Sequence, residues 1–307
     1  MPRSLIVTGC DANHYDLVAD LVASLRDARG SRVEIGFVHV GEDPVPPSIA
    51  NHVDHIAEVP DRDFEAKPRR GFRLAYLSVK ARLPEFFPGY EVYVWLDGDT
   101  WVQNPVGLDE IAYCAGLADV CMHPERDVNY MLADPSRNYL YDVYRRIYGE
   151  EEANRYNLHA SINSGVFGAT ASSPLWKLWR DALADVRDRG NDSAEVHFSD
   201  QIPVHRLIVS GRLSWLPLRS VNNWLTMLCR PAIHLQRRRL VVPTYPNEEI
   251  NIIHLIHDTK DATFGLGEGG RQITLRYRDI KALFADADAQ VTLARVADSG
   301  RSDPNAR

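Results

Sequence analysis

The segment Glu91 to Leu96 (EVYVWL) constrains this chain more than any other. From Val92 to Leu96 every position is apolar, not every second one, so the strand has no solvent face and belongs inside a sheet covered on both sides. The surrounding sequence alternates short apolar runs with helical periodicity. Ser4 to Thr8 (SLIVT) is a strand ended by Gly9, and Tyr15 to Arg29 then carries apolar residues at 17, 18, 21, 22 and 25, one face of a helix. Val33 to Val40 reads as a second strand, Pro46 to His55 as a short helix, and Ile56 to Val59 as a third apolar piece. Arg73 to Phe86 is helical in composition until Pro88-Gly89 stops it. Later, Ala118 to Met122, Ser161 to Ala169 and Asn251 to Ile256 read as strands, and Leu175 to Val186 and Gln201 to Val209 as helices. Strands alternating with helices predict a Rossmann-like α/β fold, a mainly parallel sheet with helices on both faces.

A chain of 307 residues has room for one large or two small domains. Nothing resembles a linker before residue 285, so a single α/β domain over residues 1–284 is the simplest partition. Pro124 to Tyr156 forms a polar insert holding Tyr130, Tyr139, Tyr141, Tyr144, Tyr148 and Tyr156. These tyrosines either form the core of a small helical flap or offer stacking platforms, and core suits at least half of them. Residues 285–307, poor in large apolar side chains, are expected to form a mobile, non-catalytic tail. The net charge of -7 has the wrong sign for holding nucleic acid by phosphate neutralisation. Cys10, Cys114, Cys121 and Cys229 lie far apart with no C-x-x-C pair, which fits neither a zinc ribbon nor a disulfide-dense scaffold and makes a reducing cytosol the default setting. No apolar stretch approaches the roughly 20 residues that cross a bilayer. The N-terminal apolar run is also too short for a secretory signal.

The buried strand ends abruptly in Asp97-Gly98-Asp99. Ligands of parallel α/β sheets bind at the carboxyl ends of strands. Two carboxylates one residue apart, with a glycine that lets the chain turn, can both reach one hard cation. A solvated Asp-Gly turn that merely ends the strand is the other reading.

The wider context is similar to the D-x-D element of nucleotide-sugar glycosyltransferases of the GT-A fold, and several segments resemble glycosyltransferase family 8. VWLDGDTWVQNP resembles the D-x-D segment. Lys80, with Arg82 a near alternative, stands where the family carries a basic residue on the preceding helix. Ile162 to Phe167 resembles its N-S-G-V segment, Asp200-Gln201 its D-Q pair, and Val221-Asn222-Asn223-Trp224 its N-x-W-like stretch. Ile253 to Lys260 resembles I-H-x-x-G-x-x-K, with His257 in place of the glycine, and Asp261-Ala262 replaces the following Pro-Trp. Asp11 to Tyr15 resembles the N-terminal D-x-N-Y, with His14 or Tyr15 facing the base. The segments keep the family's order over about residues 5 to 262.

The resemblance implies a GT-A type single domain with a helical insert, in which residues 124–156 lie on the acceptor side. It implies a metal site of Asp97, Asp99 and His254 for manganese or magnesium, an oxygen and imidazole donor set that suits manganese better than zinc. It also implies nucleotide and diphosphate contacts from Thr8, Asp11, Tyr15, Lys80, Gly98 and Lys260, and donor-sugar contacts from Asn163, Ser164 and Asp200. Gln201 and Asp200 become the catalytic pair. The implied reaction moves a sugar, by analogy a UDP-hexose, to a saccharide, lipid-linked or protein acceptor with retention of configuration. The expected location is cytoplasmic, free or peripheral to the inner face of a membrane. Read residue by residue, simpler roles stand beside these. His254 sits among Ile252, Ile253, Leu255 and Ile256 as a core histidine would, Asp200 suits a helix N-cap, Asn163-Ser164-Gly165 suits a turn, and Arg237-Arg238-Arg239 suits a solvated turn.

Two other functions fit parts of the sequence. A haloacid-dehalogenase-type phosphatase also opens its site with a strand and Asp-x-Asp, but it wants Thr or Val two residues after the second Asp, where this chain has Trp101. That signature also sits on a first strand, and a long stretch of chain precedes this one. A nucleotide-sugar binding protein without turnover would keep the same pocket.

Overall fold

A computed structural model describes residues 2–59, 78–130, 137–188, 200–265 and 272–286. Eight strands set its frame: β1 (Ser4–Cys10), β2 (Glu34–Val40), β3 (His55–Val59), β4 (Val92–Leu96), β5 (Thr100–Val102), β6 (Val120–Pro124), β7 (Ile162–Thr170) and β8 (Trp215–Pro217). All but β5 join a seven-stranded sheet in the order β3-β2-β1-β4-β7-β6-β8. The pairs β1–β2, β2–β3, β1–β4 and β6–β8 are parallel, and β7 runs antiparallel to both its neighbours. The sheet is therefore mostly parallel, with one reversed strand, β7, between β4 and β6.

Helices α1 (Tyr15–Arg29), α2 (Pro47–Ala50), α3 (Leu83–Phe86), α4 (Val106–Ala115), α5 (Arg137–Tyr148), α6 (Glu150–Tyr156), α7 (Leu175–Asp188) and α8 (Gln201–Val209) surround it, and a last helix spans residues 277–286. Strand β4 shows why both faces are covered. Tyr93 and Trp95 pack on one side with Trp176 and Trp179 of α7 and Val204 and Leu207 of α8. Val92, Val94 and Leu96 pack on the other with Val18, Leu21 and Leu25 of α1 and Leu108 and Ile111 of α4. All five side chains of β4 are buried, as period-two alternation between two cores requires. Helix α1 ends with Arg26 and Arg29 near its negative pole and with Gly30 at φ 61°.

A second sheet flanks the first. Strands β9 (Trp224–Leu225), β10 (Ala232–His234), β11 (Arg239–Val241) and β12 (Ile252–His254) follow, and β5-β12-β9 form a three-stranded sheet in which β12 runs antiparallel to β5 and parallel to β9. Strands β10 and β11 pair as a hairpin. Trp101, Trp224, Leu240 and Ile253 bury a third core beneath them. The helices α5 and α6 of the insert have their own core, in which Tyr144, Ile147 and Tyr156 meet Ile202 of α8. Tyr130, Tyr144 and Tyr156 are buried, so at least half of the six tyrosines are core. Tyr144 Oη lies 2.6 Å from His205 Nδ1, which ties the insert to α8.

The elements differ from the sequence reading in particular places. Only Pro47–Ala50 of the Pro46 to His55 segment is helical. Asp54 accepts a hydrogen bond from Ile35 N at 2.7 Å, which draws the chain into register with β2 so that His55 already begins β3. Strand β6 starts at Val120, because Asp119 is held in a turn by Ser214 N, which donates to its carboxylate at 2.8 Å. Strand β12 keeps only Ile252–His254. Of the helix expected over Arg73 to Phe86, residues 73–77 lie outside the described residues, and Lys80–Arg82 form a tighter 3-10 turn before α3. The last helix runs two residues past the expected boundary at 284, and residues 287–307 of the expected tail lie outside the described residues.

Candidate active site

The carboxyl end of β4 meets the start of β5 in the turn Asp97-Gly98-Asp99. Thr100 N and Oγ1 both donate to the Asp97 carbonyl, at 3.0 and 2.8 Å. A Cβ on Gly98 would stand 2.6 Å from Val18 Cγ2, so only glycine lets this turn press against α1. Neither carboxylate is a solvated strand end: the Asp97 and Asp99 side chains are 20% and 15% exposed.

Asp97 belongs to a buried charged cluster. Lys80 Nζ lies 2.8 Å from Asp97 Oδ1 and 3.0 Å from Asp200 Oδ2, donates to the Ser164 carbonyl at 3.4 Å, and stands 5.5 Å from the centre of the Trp95 ring. Trp95 Nε1 donates to Asp97 Oδ1 at 2.7 Å. Lys80 is only 2% exposed. Burial works against its charge, but Asp200 and Asp97 overcome it and hold the ammonium above its ordinary value. Burial raises the Asp200 carboxyl despite Lys80. Although Asp200 precedes α8, its side chain makes no cap hydrogen bond; it accepts instead from Ser164 Oγ at 3.2 Å. The N-cap reading is overturned, because Lys80 and Ser164 claim the carboxylate. Arg82, the alternative to Lys80, pairs with Glu85 near the surface.

Asp99 belongs to a second cluster. His254 Nε2 lies 3.2 Å from its Oδ1 and Lys260 Nζ 2.8 Å from its Oδ2. Burial would raise the Asp99 carboxyl, but His254 and Lys260 hold it below its ordinary value. One ligand atom from each of Asp97, Asp99 and His254 lies within 4.8 Å of the others. The fit for a cation is supported by Gly165: a Cβ there would fall 2.2 Å from His254 Cε1 and 2.8 Å from Asp97 Oδ2. The asparagine-serine-glycine segment is thus no turn but the heart of β7, where glycine leaves room for the imidazole and the carboxylate to converge.

Thr8, Asp11 and Tyr15 gather where β1 gives way to α1. Thr8 is fully buried, and its hydroxyl has no hydrogen-bond partner among the described residues. Asp11 accepts from Asn13 N at 3.0 Å and lies 3.0 Å from His14 Nδ1, and the His14 contact lowers its carboxyl. Tyr15 Oη lies 2.8 Å from His39 Nε2. His257 is exposed at φ 50°, the left-handed region that favours glycine. The backbone there keeps a glycine-like shape although the residue is histidine.

Three polar residues, Glu125, Ser161 and Asn223, have no role of their own in the sequence reading. Glu125 Oε1 accepts from Asn163 Nδ2 at 3.2 Å and from Gln201 Nε2 at 3.3 Å, and Gln201 Nε2 also donates to Ser161 Oγ at 3.0 Å. Asn223 donates through Nδ2 to Asn163 Oδ1 at 2.9 Å, and its Oδ1 lies 2.8 Å from His254 Nδ1. A signal for Glu125 was present. It stands just past β6, on the same edge of the sheet as Asp97 past β4, but ending that strand at Met122 hid the relation.

A mostly parallel seven-stranded sheet whose acidic strand end faces a second small sheet defines a GT-A fold, the architecture of nucleotide-sugar glycosyltransferases. Solved structures give that likeness its particulars. The galactosyltransferase LgtC, in complex with donor and acceptor sugar analogues, matches with a TM-score of 0.54 over 83% of this chain and 88% of its own, at 14% identity. An active-site mutant of LgtC gives 0.54 over 91% and 95%, at 12% identity. Apo WbbM, a bifunctional glycosyltransferase, gives 0.53 over 84% of this chain and 46% of its own, at 13% identity. No protein-family model and no curated protein sequence matches the chain. At such identities the likeness is one of fold, and function rests on the site.

Proposed function

We propose that the protein is a metal-dependent glycosyltransferase that moves a hexose from a uridine diphosphate sugar to a saccharide acceptor, with retention at the anomeric carbon. The observation that carries this reading is the convergence of Asp97, Asp99 and His254 donor atoms between two lysines, Lys80 and Lys260. A manganese or magnesium ion on these three residues would neutralise the donor diphosphate and stabilise it as it leaves. Lys260, paired with Asp99 but with a side chain 28% exposed, is the cation placed to follow the phosphate oxygens. Lys80 is fixed by Asp97 and Asp200 and sets the local field without moving. Thr8, Asp11 and Tyr15 receive the nucleoside, Gly98 keeps the turn close to it, and Asn163, Ser164 and Asp200 line the sugar.

In the transfer, the bond from the anomeric carbon to the diphosphate oxygen breaks with its electron pair leaving on the diphosphate, an acceptor hydroxyl oxygen bonds that carbon, and the hydroxyl proton passes to the departing diphosphate oxygen. Asp200 acts as a positioner, since Lys80 and Ser164 already hold its carboxylate. Gln201, held by Glu125 and Ser161, is the polar group that steadies charge at the sugar. The insert over residues 124–156 lies toward the acceptor, which is a saccharide, free or linked to lipid or protein. No helix among the described residues is long and apolar enough to cross a membrane, in keeping with action in the cytoplasm or at a membrane's inner face. The phosphatase reading loses its footing, because the acidic pair follows β4 inside the sheet and not a first strand.

The test is thermal stabilisation across a panel of nucleotide sugars, with and without manganese, followed by a nucleotide-release assay. The largest shift is expected for a uridine diphosphate sugar with manganese, because ligand binding stabilises the folded state by mass action. Absence of any shift, with or without the ion, would sink the proposal. A shift without nucleotide release in the presence of saccharides would assign binding alone.

A further inference from the structure

The hydrogen bonds that run from Glu125 to His254 have a single consistent polarity. A backbone N–H can only donate, so Gly165 N, at 2.9 Å, fixes the nearer side-chain atom of Asn163 as its oxygen. A carboxylate can only accept, so Glu125 at 3.2 Å independently fixes the other atom as nitrogen. With Asn163 oriented from both ends, Asn223 must turn its nitrogen toward Asn163 Oδ1 and its oxygen toward the imidazole. An oxygen acceptor 2.8 Å from His254 Nδ1 requires a proton on that nitrogen.

We infer that Asn223 is a positioning residue that, oriented by Asn163 between Gly165 and Glu125, keeps a proton on His254 Nδ1, so that Nε2, which donates to the Asp99 carboxylate at 3.2 Å in the metal-free chain, is the nitrogen that a divalent cation takes. The arrangement is built for permanence. Asn223 is fully buried, Asn163 and His254 are 7% and 3% exposed, and β7 and β12 supply the rigid frames. Groups behind a metal-binding histidine fix its tautomer and ring orientation, and their loss typically weakens metal affinity 10- to 100-fold. Asn163 thereby gains a part distinct from sugar contact: its oxygen, receiving both Gly165 N and Asn223 Nδ2, sets the polarity of the metal side.

The inference concerns the metal site proposed above, but the proton on Nδ1 belongs to the metal-free chain, so the two can fail separately. The full chain labelled with 15N-histidine is examined without metal, with His254→Gln assigning the resonance, and Mn2+ binding is titrated by electron paramagnetic resonance. The parent should show a slowly exchanging Nδ1–H at His254. Asn223→Ala should lose it and bind Mn2+ 10- to 100-fold more weakly while keeping parental circular dichroism. A parent whose Nδ1 lacks the proton, or Asn223→Ala binding Mn2+ as tightly as the parent, overturns the inference. A parent that binds no Mn2+ yet shows a protonated Nδ1 that Asn223→Ala loses leaves the relay standing and removes the metal from the proposed function. Should Asn223→Ala fail to fold, Glu125→Ala and Glu125→Gln carry the test. Glu125→Ala, lacking one anchor, should bind severalfold more weakly. Glu125→Gln, whose amide oxygen still accepts from Asn163, should match the parent, and equal binding in all three proteins refutes the relay.

Discussion

Lys80 is a fully buried ammonium whose neighbours Asp97 and Asp200 repay its desolvation. Replacing it with methionine keeps the volume but leaves two carboxylates without their cation. Removal of one partner of a buried ion pair costs about 3–5 kcal/mol, so Lys80→Met should lose about that much in urea unfolding at pH 7. Adding Asp200→Asn should recover part of it, and a single variant as stable as the parent contradicts this account. His123 is a second buried titratable group, between the Leu218 carbonyl at 3.1 Å and Tyr130 Oη at 2.9 Å. Burial pushes its imidazole down from 6.5 to about 4. Between those values the unfolded chain binds a proton that the folded chain refuses, so this stability is intact above pH 6.5 and lost as pH falls toward 4, about 3 kcal/mol in all. Unfolding free energies measured from pH 7 to 4.5 should fall with that slope, and His123→Gln should flatten it. Lys260→Ala should cost less stability than Lys80→Met, because its side chain is 28% exposed and His254 still faces Asp99, and should lower kcat more than it raises donor KM, because its charge matters most as the diphosphate departs. Equal kinetics in variant and parent would reduce it to a surface lysine.

At the scale of elements, β7 is where the site is most sensitive. Gly165→Ala adds one methyl 2.2 Å from His254 Cε1 and 2.8 Å from Asp97 Oδ2, so the imidazole and the carboxylate must leave the positions in which they converge. We expect wild-type helix content with Mn2+ affinity reduced at least tenfold, and unchanged affinity would mean that the imidazole is not needed where it stands. The helices of the insert pack Tyr144 and Tyr156 against Ile202, so deletion of residues 124–156 should unfold α8 and abolish both donor hydrolysis and transfer, not transfer alone. These elements also show what sequence makes legible. Tyr15–Arg29 follows from apolar periodicity, because burial on one face dictates the helix, whereas Gln201–Val209, buried on nearly every side, is legible from its apolar run alone. Strand β6 was misplaced by two residues because the register is set by Ser214, far along the chain, gripping Asp119. With the strand ended early, Glu125 had no strand end to mark it. Asp200 looked like an N-cap because capping is local, whereas Lys80, which claims it, approaches from a distant turn.

For the whole molecule, the alternation of apolar runs and helices was enough to name the main sheet, since both express the same two-sided burial. The small sheet β5-β12-β9 was not legible. Its strands hold two or three residues each, and β5 meets β12 across more than a hundred positions, so of the three only β12 announces itself, as the apolar run around His254. One consequence of that assembly is optical. Trp95 lies in the main sheet with its indole N–H on the Asp97 carboxylate and the Lys80 ammonium near its ring, so the chain carries a fluorophore wired to its own site. A cation arriving at Asp97 changes the field across that ring, and a paramagnetic one also quenches it. Titration of the unlabelled protein with Mn2+ should therefore dim and shift part of the emission of its six tryptophans, and Trp95→Phe should silence the response while the other five keep shining. If the full response survives in Trp95→Phe, the reporting indole lies elsewhere; if it vanishes, occupancy of the site can be followed in real time by light alone, before any sugar or acceptor is known.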